Sequence, residues 1–281
     1  MPGTEIKSHA KLNLALNITG KNSSIHKIES IIAFASLHDK IFIKNIKSKS
    51  HKILFTGKFS QNITKNNTVS KLLNILEKKK LLKNKKFKIK INKQIPNKAG
   101  LGGGSMNASN ILRYFVKKKI IRISKKDLFK ISKKIGSDVV LGLNSTNSIL
   151  NEKSKIKHFS NYKKLHVLIV KPDFGCSTKD IFSKVIKFDK PEFNKPKKEM
   201  FSLNYLKKKK NSLEPIAFSK YSKLKKIKLF LENLSTPVFV RMTGSGSALV
   251  AYFESKQRCD NAKESFNKKY KKYWCIASKT I

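Results

Sequence analysis

Residues 96–105 read Pro-Asn-Lys-Ala-Gly-Leu-Gly-Gly-Gly-Ser, and Met106-Asn107-Ala108-Ser109 follows. Four glycines in five residues leave no Cβ atoms to keep the backbone away from a ligand, and they admit positive φ. Exposed N–H groups entering a helix meet the positive end of its dipole, a combination suited to phosphate oxygens. Two familiar phosphate turns do not fit. The Walker turn ends in Gly-Lys-Ser/Thr, and no Lys precedes Ser105. The dinucleotide turn needs Gly where Ser105 stands and an acidic residue about twenty positions on, whereas residues 117–121 hold no carboxylate. A Gly-rich turn with no ligand remains an open alternative. A second run, Thr243-Gly244-Ser245-Gly246-Ser247, taken alone is a flexible turn. Asp138 lies beside a short apolar run and is one of only 17 acidic residues; helix capping is its competing role. Lys11 and Asn13 share the polar face of one alternating segment and His26 opens another, each taken alone an ordinary polar residue.

The elements that position these groups follow from periodicity. Residues 87–92 alternate apolar and polar, as a strand does, and Ala108, Ile111, Leu112, Phe115 and Val116 recur at helical spacing. The glycines therefore join a strand to a helix that opens at 104–107. Leu12, Leu14, Leu16 and Ile18 alternate within a strand over 5–19, residues 20–24 make a turn, and a further segment runs over 26–37. Residues 40–47 and 51–58 read as paired strands around Ser48-Lys49-Ser50. Asn67 caps a helix over 68–80 with Val69, Leu72, Leu73 and Leu76 on one face, and the lysines of 78–86 form its solvated end. Ser124 and Asp127 open a helix over 124–134. Polar residues 144–157 mark a junction, followed by a strand over 164–170 and a charged, Pro-containing loop over 184–198. Helices over 221–233 and 263–270 and strands over 248–253 and 274–277 complete the chain.

The full string Pro-x-x-x-Gly-Leu-Gly-Gly-Gly-Ser resembles the ATP-phosphate loop of the GHMP kinases. Other motifs stand in that family's order over residues 8–253: Ala10-Lys11-Leu12-Asn13-Leu14 with His26 beyond a turn, Gly136-Ser137-Asp138-Val139, Ser177-Thr178 with Ile181-Phe182, Asn211-Ser212-Leu213-Glu214, and the run at 243–247. The resemblance implies a two-domain α+β fold, with an N-terminal mixed sheet and helices (1–155), a ferredoxin-like C-terminal domain (156–281), and the active site in the cleft between. It implies ATP-dependent phosphorylation of an alcohol. The triple-Gly loop is similar to that of one branch, which acts on the methylerythritol part of a cytidine diphosphate conjugate in non-mevalonate isoprenoid biosynthesis. Carried over residue by residue, it implies Lys11 and Asp138 as catalytic groups. ATP would be bound by Asn67, Lys93, Pro96, Gly100, Leu101, Gly102, Gly103, Gly104, Ser105, Asn107, Thr243 and Gly244. The acceptor would be bound by Asn13, His26, Thr178 and Phe182. Mg²⁺ is implied with ATP, with no identifiable protein ligand. The alternatives are another kinase of this family, of homoserine or mevalonate type, or a non-catalytic basic protein that binds nucleic acid. Four departures stand out. The family's Asp-Gly-Tyr-His is Ser23-Ser24-Ile25-His26, in a turn one residue shorter and without the aromatic; its second loop serine is Met106, which offers a cation no oxygen; its Pro after the catalytic motif is Val140; and an Asp is Ser212.

Composition bounds the rest. The 281 residues allow one large or two modest domains. No run of eighteen apolar residues occurs, and residues 1–13 lack the apolar stretch of a signal peptide. Three widely spaced cysteines, Cys176, Cys259 and Cys275, read as reduced thiols of a cytoplasmic protein. The net charge of +46 comes from 59 lysines spread along the chain and only four arginines. Arg dominates bidentate base and phosphate recognition, so the charge reads as base-composition bias, and no specific nucleic-acid or membrane partner is expected. Small-molecule acceptor and ATP are the expected partners, for a monomer or a homodimer.

Overall fold

The computed structural model describes residues 4–23, 25–160, 163–234 and 237–281. Alternation along the first segment carries further than expected. Strand β1 (Thr4–Asn22) takes in the residues assigned to a turn at 20–22. Of that turn Ser23 remains, at φ 49°; Ser24 lies outside the described residues. Strand β2 (Ile25–Ile46) merges the segments expected at 26–37 and 40–47, because Ile41 and Ile43 continue its buried face. β1 pairs with β2. There follow β3 (Lys52–Thr56), α1 (Thr68–Lys78), β4 (Lys86–Asn92), α2 (Gly103–Lys117) and α3 (Lys125–Ile135). Then come β5 (Ser148–Leu150), β6 (Ile156–His158), β7 (His166–Lys171), α4 (Thr178–Ser183), α5 (Leu203–Lys207), α6 (Glu214–Lys220) and α7 (Ser222–Glu232). β8 (Phe239–Met242), β9 (Leu249–Phe253), α8 (Lys256–Lys269) and β10 (Trp274–Lys279) end the chain.

The chain forms two compact units with interleaved segments. The first comprises Met1–Ala10, Leu37–Pro96 and Gly102–Ser145. Here β4 lies between its neighbours, antiparallel to β2 (Ile41 opposite Ile91, Ile43 opposite Ile89) and parallel to β3 (Ile53 opposite Ile89, Phe55 opposite Ile91). The hairpin expected between β2 and β3 does not form. β4 buries Phe87, Ile89 and Ile91 and suits the centre, whereas β3 exposes Lys52 and Leu54 and suits an edge. The apolar faces of α1 and α2 supply Leu72, Leu76, Ile111, Leu112 and Phe115 to the cluster over this sheet, and α3 adds Ile131 and Ile135.

The second unit comprises Lys11–Ser36, Asn97–Leu101 and Thr146–Ile281. Its four-stranded antiparallel sheet runs β10-β7-β9-β8, the strand order of a ferredoxin-like domain, with α4–α7 and α8 in the two crossovers. β7 and β9 are central and buried along nearly their whole length, so they read as apolar runs rather than strict alternations. The helices pack Leu224, Ile227, Leu231 and Phe266 against Leu168, Val170, Leu249 and Phe253. Residues 144–157, expected to be a junction alone, contain β5 and the start of β6: Ile149 is fully buried opposite Ile31 of β2. The helix expected over 263–270 starts earlier, at Lys256, and a strand the sequence reading did not give, β8, precedes the second glycine run.

Phe115 is fully buried, with its ring 4.8 Å from that of Phe87. Phe115→Ala is expected to destabilise the protein by about 3–5 kcal/mol, measured by chemical denaturation. A loss below about 1 kcal/mol would mean that this cluster does not hold the first unit together.

Candidate active site

In the first unit the chain leaves β4 at Asn92 and enters α2 at Gly103. The residue before the helix, Gly102, is left-handed at φ 67°, and no side chain caps the helix. The N–H groups of the first turn are therefore left for solvent or a ligand. A Cβ on Gly103 would lie 3.0 Å from Ile95 Cγ2 and 3.2 Å from Lys93 Nζ, so the turn is built tight beneath, while Gly104 is exposed above. The Thr68 hydroxyl donates to the Gly104 carbonyl at 2.7 Å. This bond ties the start of α1 to the start of α2. Asn67 caps α1: its Oδ1 accepts from the N–H groups of Val69 (3.0 Å) and Ser70 (3.1 Å), and Ser70 Oγ accepts from the Asn67 N–H at 2.9 Å. Pro96 is buried between Ile95 and the exposed Asn97.

Asp138 is half-buried in a single 3-10 turn, Ser137–Val139, packed on α2. A Cβ on Gly136, at the mouth of that turn, would lie 3.9 Å from Ser105 Oγ. Val140 has φ −60°, the value a proline ring would impose, so this departure keeps the backbone shape. Met106 is fully buried with its sulfur 2.9 Å from where a Cβ on Gly142 would be. It packs inward.

The sequence reading missed Asp39. Its carboxylate is fully buried within the second half of β2. Oδ1 accepts from the N–H groups of Gln94 (2.7 Å) and Ile95 (2.9 Å). Oδ2 accepts from Asn107 Nδ2 (2.9 Å) and is ion-paired with the buried Lys93 ammonium. An acidic residue inside Leu37-His38-Asp39-Lys40-Ile41-Phe42, in a chain with so few carboxylates, was the available signal.

In the second unit Asn13 is the node. Its Oδ1 accepts from Lys11 Nζ (2.9 Å) and the Gly244 N–H (3.0 Å), its own N–H donates to Thr243 Oγ1 (3.1 Å), and its Nδ2 donates to Ser30 Oγ (2.8 Å). One amide hydrogen of Asn13 is left over. Lys11 is 4% exposed, and its backbone N–H donates to the Leu101 carbonyl at 2.9 Å. The Thr243 hydroxyl donates to the Gly100 carbonyl at 3.3 Å. Gly100 has φ +73°, and a Cβ there would overlap the Thr243 carbonyl oxygen. The two glycine runs thus meet backbone to backbone. Thr178 and Ser245 share a hydrogen bond of 2.9 Å. His26 lies 5.3 Å from Phe182 ring to ring, and its Nε2 is buried without a hydrogen-bond partner. Burial first, then the Lys21 charge, lowers the His26 pKa, so the ring is neutral near pH 7. Ile25 before it is 74% exposed.

Supports around these groups, some of them in motifs already singled out, had no role given to them from the sequence. Asn211 Nδ2 donates to the carbonyls of Met242 and Gly244 at 2.8 Å each, and Glu214 accepts from the Met242 N–H at 2.7 Å. The Ser212 hydroxyl donates to Asp189, which also accepts from the Ile18 N–H. A carboxylate is thus present where the family's own is lost. Glu29, fully buried, accepts from Asn17 Nδ2 and from the N–H groups of Glu192 and Phe193, pinning the 184–198 loop. Among the described residues, no three His, Cys, Asp or Glu side chains cluster as metal ligands, and no helix is long and apolar enough to cross a membrane.

Comparison with known proteins matches residues 67–150 to the GHMP kinases N-terminal domain and residues 187–272 to the GHMP kinases C-terminal domain. The 4-diphosphocytidyl-2-C-methyl-D-erythritol kinase of Pelagibacter ubique is 55% identical over the full length of both chains. That of Petrotoga mobilis is 33% identical over 87% of this chain and 96% of its own. A crystal structure of 4-(cytidine 5'-diphospho)-2C-methyl-D-erythritol kinase superposes with a TM-score of 0.79 at 22% identity, covering 99% of each chain. The homoserine kinase of Cytophaga hutchinsonii has a TM-score of 0.69 at 13% identity, over 100% of this chain and 95% of that one; both share the fold.

A turn that receives phosphate through bare N–H groups has no room for a branched side chain. Gly103→Val is expected to abolish ATP binding in calorimetry and leave the circular dichroism spectrum unchanged. Unchanged ATP affinity in a folded variant would remove this turn from the phosphate site.

Proposed function

Because the chain belongs to the GHMP kinase family, we propose that it transfers a phosphoryl group from ATP to a hydroxyl on the methylerythritol part of 4-diphosphocytidyl-2-C-methyl-D-erythritol, in the non-mevalonate route to isoprenoid precursors. The observation that carries the substrate is the 55% identity over the whole chain to a kinase of that name. The decisive experiment offers the purified protein ATP with a panel of alcohols. Phosphorylation of homoserine or mevalonate, with the cytidine conjugate ignored, would overturn the reading. The matches to the N- and C-terminal family domains fall on either side of a division at 155, and support assigning 1–155 and 156–281 to those domains.

The roles follow from the chemistry of each group. Phosphoryl transfer is mostly positioning and charge stabilisation. The uncapped N–H groups of Gly103, Gly104 and Ser105 suit phosphate oxygens. Asn67, Lys93, Pro96, Gly102 and Asn107 shape that turn, and Gly100, Leu101, Thr243 and Gly244 shape the paired glycine runs. Asp138 accepts the proton of the attacking hydroxyl. Lys11 offsets the charge of the transferred group. The buried, unpartnered Nε2 of His26 is an orphan that the edge of a cytosine would satisfy, with Phe182 against the ring. Asn13 and Thr178 take acceptor hydroxyls or phosphate. Mg²⁺ arrives with ATP, and no residue is assigned to it. The buried Cys176 and Cys259, with thiols raised by burial to about 11 and about 12 and no disulfide, are consistent with a cytoplasmic setting.

His26→Ala is expected to weaken the cytidine-bearing acceptor by roughly tenfold or more, the worth of a hydrogen bond and a ring contact, with ATP affinity within about twofold. Equal losses for both ligands would take His26 out of the acceptor subsite.

Lys11 and Asp138 act as one unit in this scheme. Asp138→Asn should lower kcat by roughly 10²–10⁴ and leave ATP affinity nearly intact. Lys11→Ala should lower kcat as well, and the double variant should be little worse than the poorer single one. Most of the wild-type kcat surviving in Asp138→Asn would leave that residue a structural cap.

A further inference from the structure

Lys93 raises a question that its assignment to ATP does not answer. Its ammonium is buried and ion-paired to Asp39, so the pair brings no net charge to the phosphate turn. Yet it sits 3.2 Å from where a Cβ on Gly103 would be, directly under the first residue of α2. Asp39 grips this region through four donors on two stretches of chain: the Lys93 ammonium and the N–H groups of Gln94 and Ile95 on one, and the Asn107 amide in the opening turns of α2 on the other. Both oxygens of the carboxylate are filled. The other end of the Asn107 amide, Oδ1, is buried with no partner. Its orientation is therefore dictated by Asp39, since a flipped amide would set oxygen against carboxylate. The Lys93 backbone is clamped too, its N–H donating to the Thr56 carbonyl at 2.7 Å. Beside it Gly57 has φ +89°, and a Cβ there would be 2.8 Å from the Lys93 carbonyl.

We propose that Asp39 is the positioning residue of the phosphate turn, holding Lys93 beneath Gly103 and Asn107 in the helix so that the first N–H groups of α2 point one way before nucleotide arrives. This rests on the reading of Gly103–Ser105 as the phosphate site. Burying a carboxylate and an ammonium costs several kcal/mol of desolvation per ion. A buried pair is therefore a poor device for stability alone, and preorganisation gives its burial a function. A turn whose donors are in place spends no binding energy on ordering them.

The variant Asp39→Asn keeps the volume and one acceptor oxygen but turns an amide N–H₂ toward Lys93 and Asn107, donor against donor. Calorimetric titration should show ATP affinity lowered by roughly ten- to a hundredfold, as expected for a misplaced binding group. Affinity for the cytidine diphosphate acceptor should stay within about twofold. A merely structural role would lower the unfolding temperature without this selectivity. If Asp39→Asn does not fold, Asp39→Asn/Lys93→Met removes the buried ammonium with its partner, a change that folded proteins tolerate, and the same selective loss is expected. ATP affinity within twofold of wild type in either folded variant overturns the proposal, and so does an equal loss for both ligands. Gly103→Val separates the two levels. If that variant also binds ATP normally, the phosphate-site reading fails; if it loses ATP and the Asp39 variants do not, only the role of Asp39 fails.

Discussion

A site made of unpaired backbone N–H groups cannot hold itself in place. Any side chain in the turn that capped those groups would occupy the position meant for a ligand, and any Cβ would crowd it. Glycine solves the second problem and worsens the first, because it adds backbone freedom that folding must remove. The restraint has to come from neighbours. At the start of α2 it comes from Thr68 on the Gly104 carbonyl and from Asp39 through Lys93 and Asn107. At the meeting of the two glycine runs it comes from Asn13, Thr243 and Asn211. In both places the grip is on carbonyls, side chains or flanking N–H groups.

Much of this was legible in the sequence. The glycine motifs, Lys11 with His26, and the Gly-x-Asp turn are local strings, and their order along the chain pointed to one family. Helices announced themselves by the spacing of Leu and Ile, and Asn67 by its place before the first of them. The order of strands in the first unit was not legible. A turn at 48–50 invites a hairpin, and only the greater burial of Phe87, Ile89 and Ile91 tells that β4 displaces β3 from the side of β2. Asp39 was hard to read for a similar reason. Its partners lie 54 to 68 positions away, and the one local sign, a scarce acid set inside a strand, does not say what that acid holds.

The departures from family pattern sit in surroundings that absorb them. Met106 fills space over Gly142, where a side chain would collide with it. Val140 adopts the backbone angle of the proline it replaces. Ser212 donates to Asp189, so a carboxylate stays at that spot although it is attached elsewhere. Ile25 is different: it stands mostly in solvent beside His26, and its aliphatic side chain cannot supply the ring stacking of a tyrosine.

Four carboxylates reach across the chain to accept main-chain N–H groups: Asp39 from Gln94 and Ile95, Glu29 from Glu192 and Phe193, Asp189 from Ile18, and Glu214 from Met242. Each staples an irregular segment or strand end to a distant part of its own unit. In a chain of 59 lysines and 17 acidic residues, a mutational drift toward lysine codons is harmless wherever a side chain points to water. At these four positions the same drift would set a cation against a peptide dipole and strip an acceptor from a buried donor. The surface of this protein is therefore freer to change its charge than its interior, where a short inventory of acids is one that the backbone itself depends on.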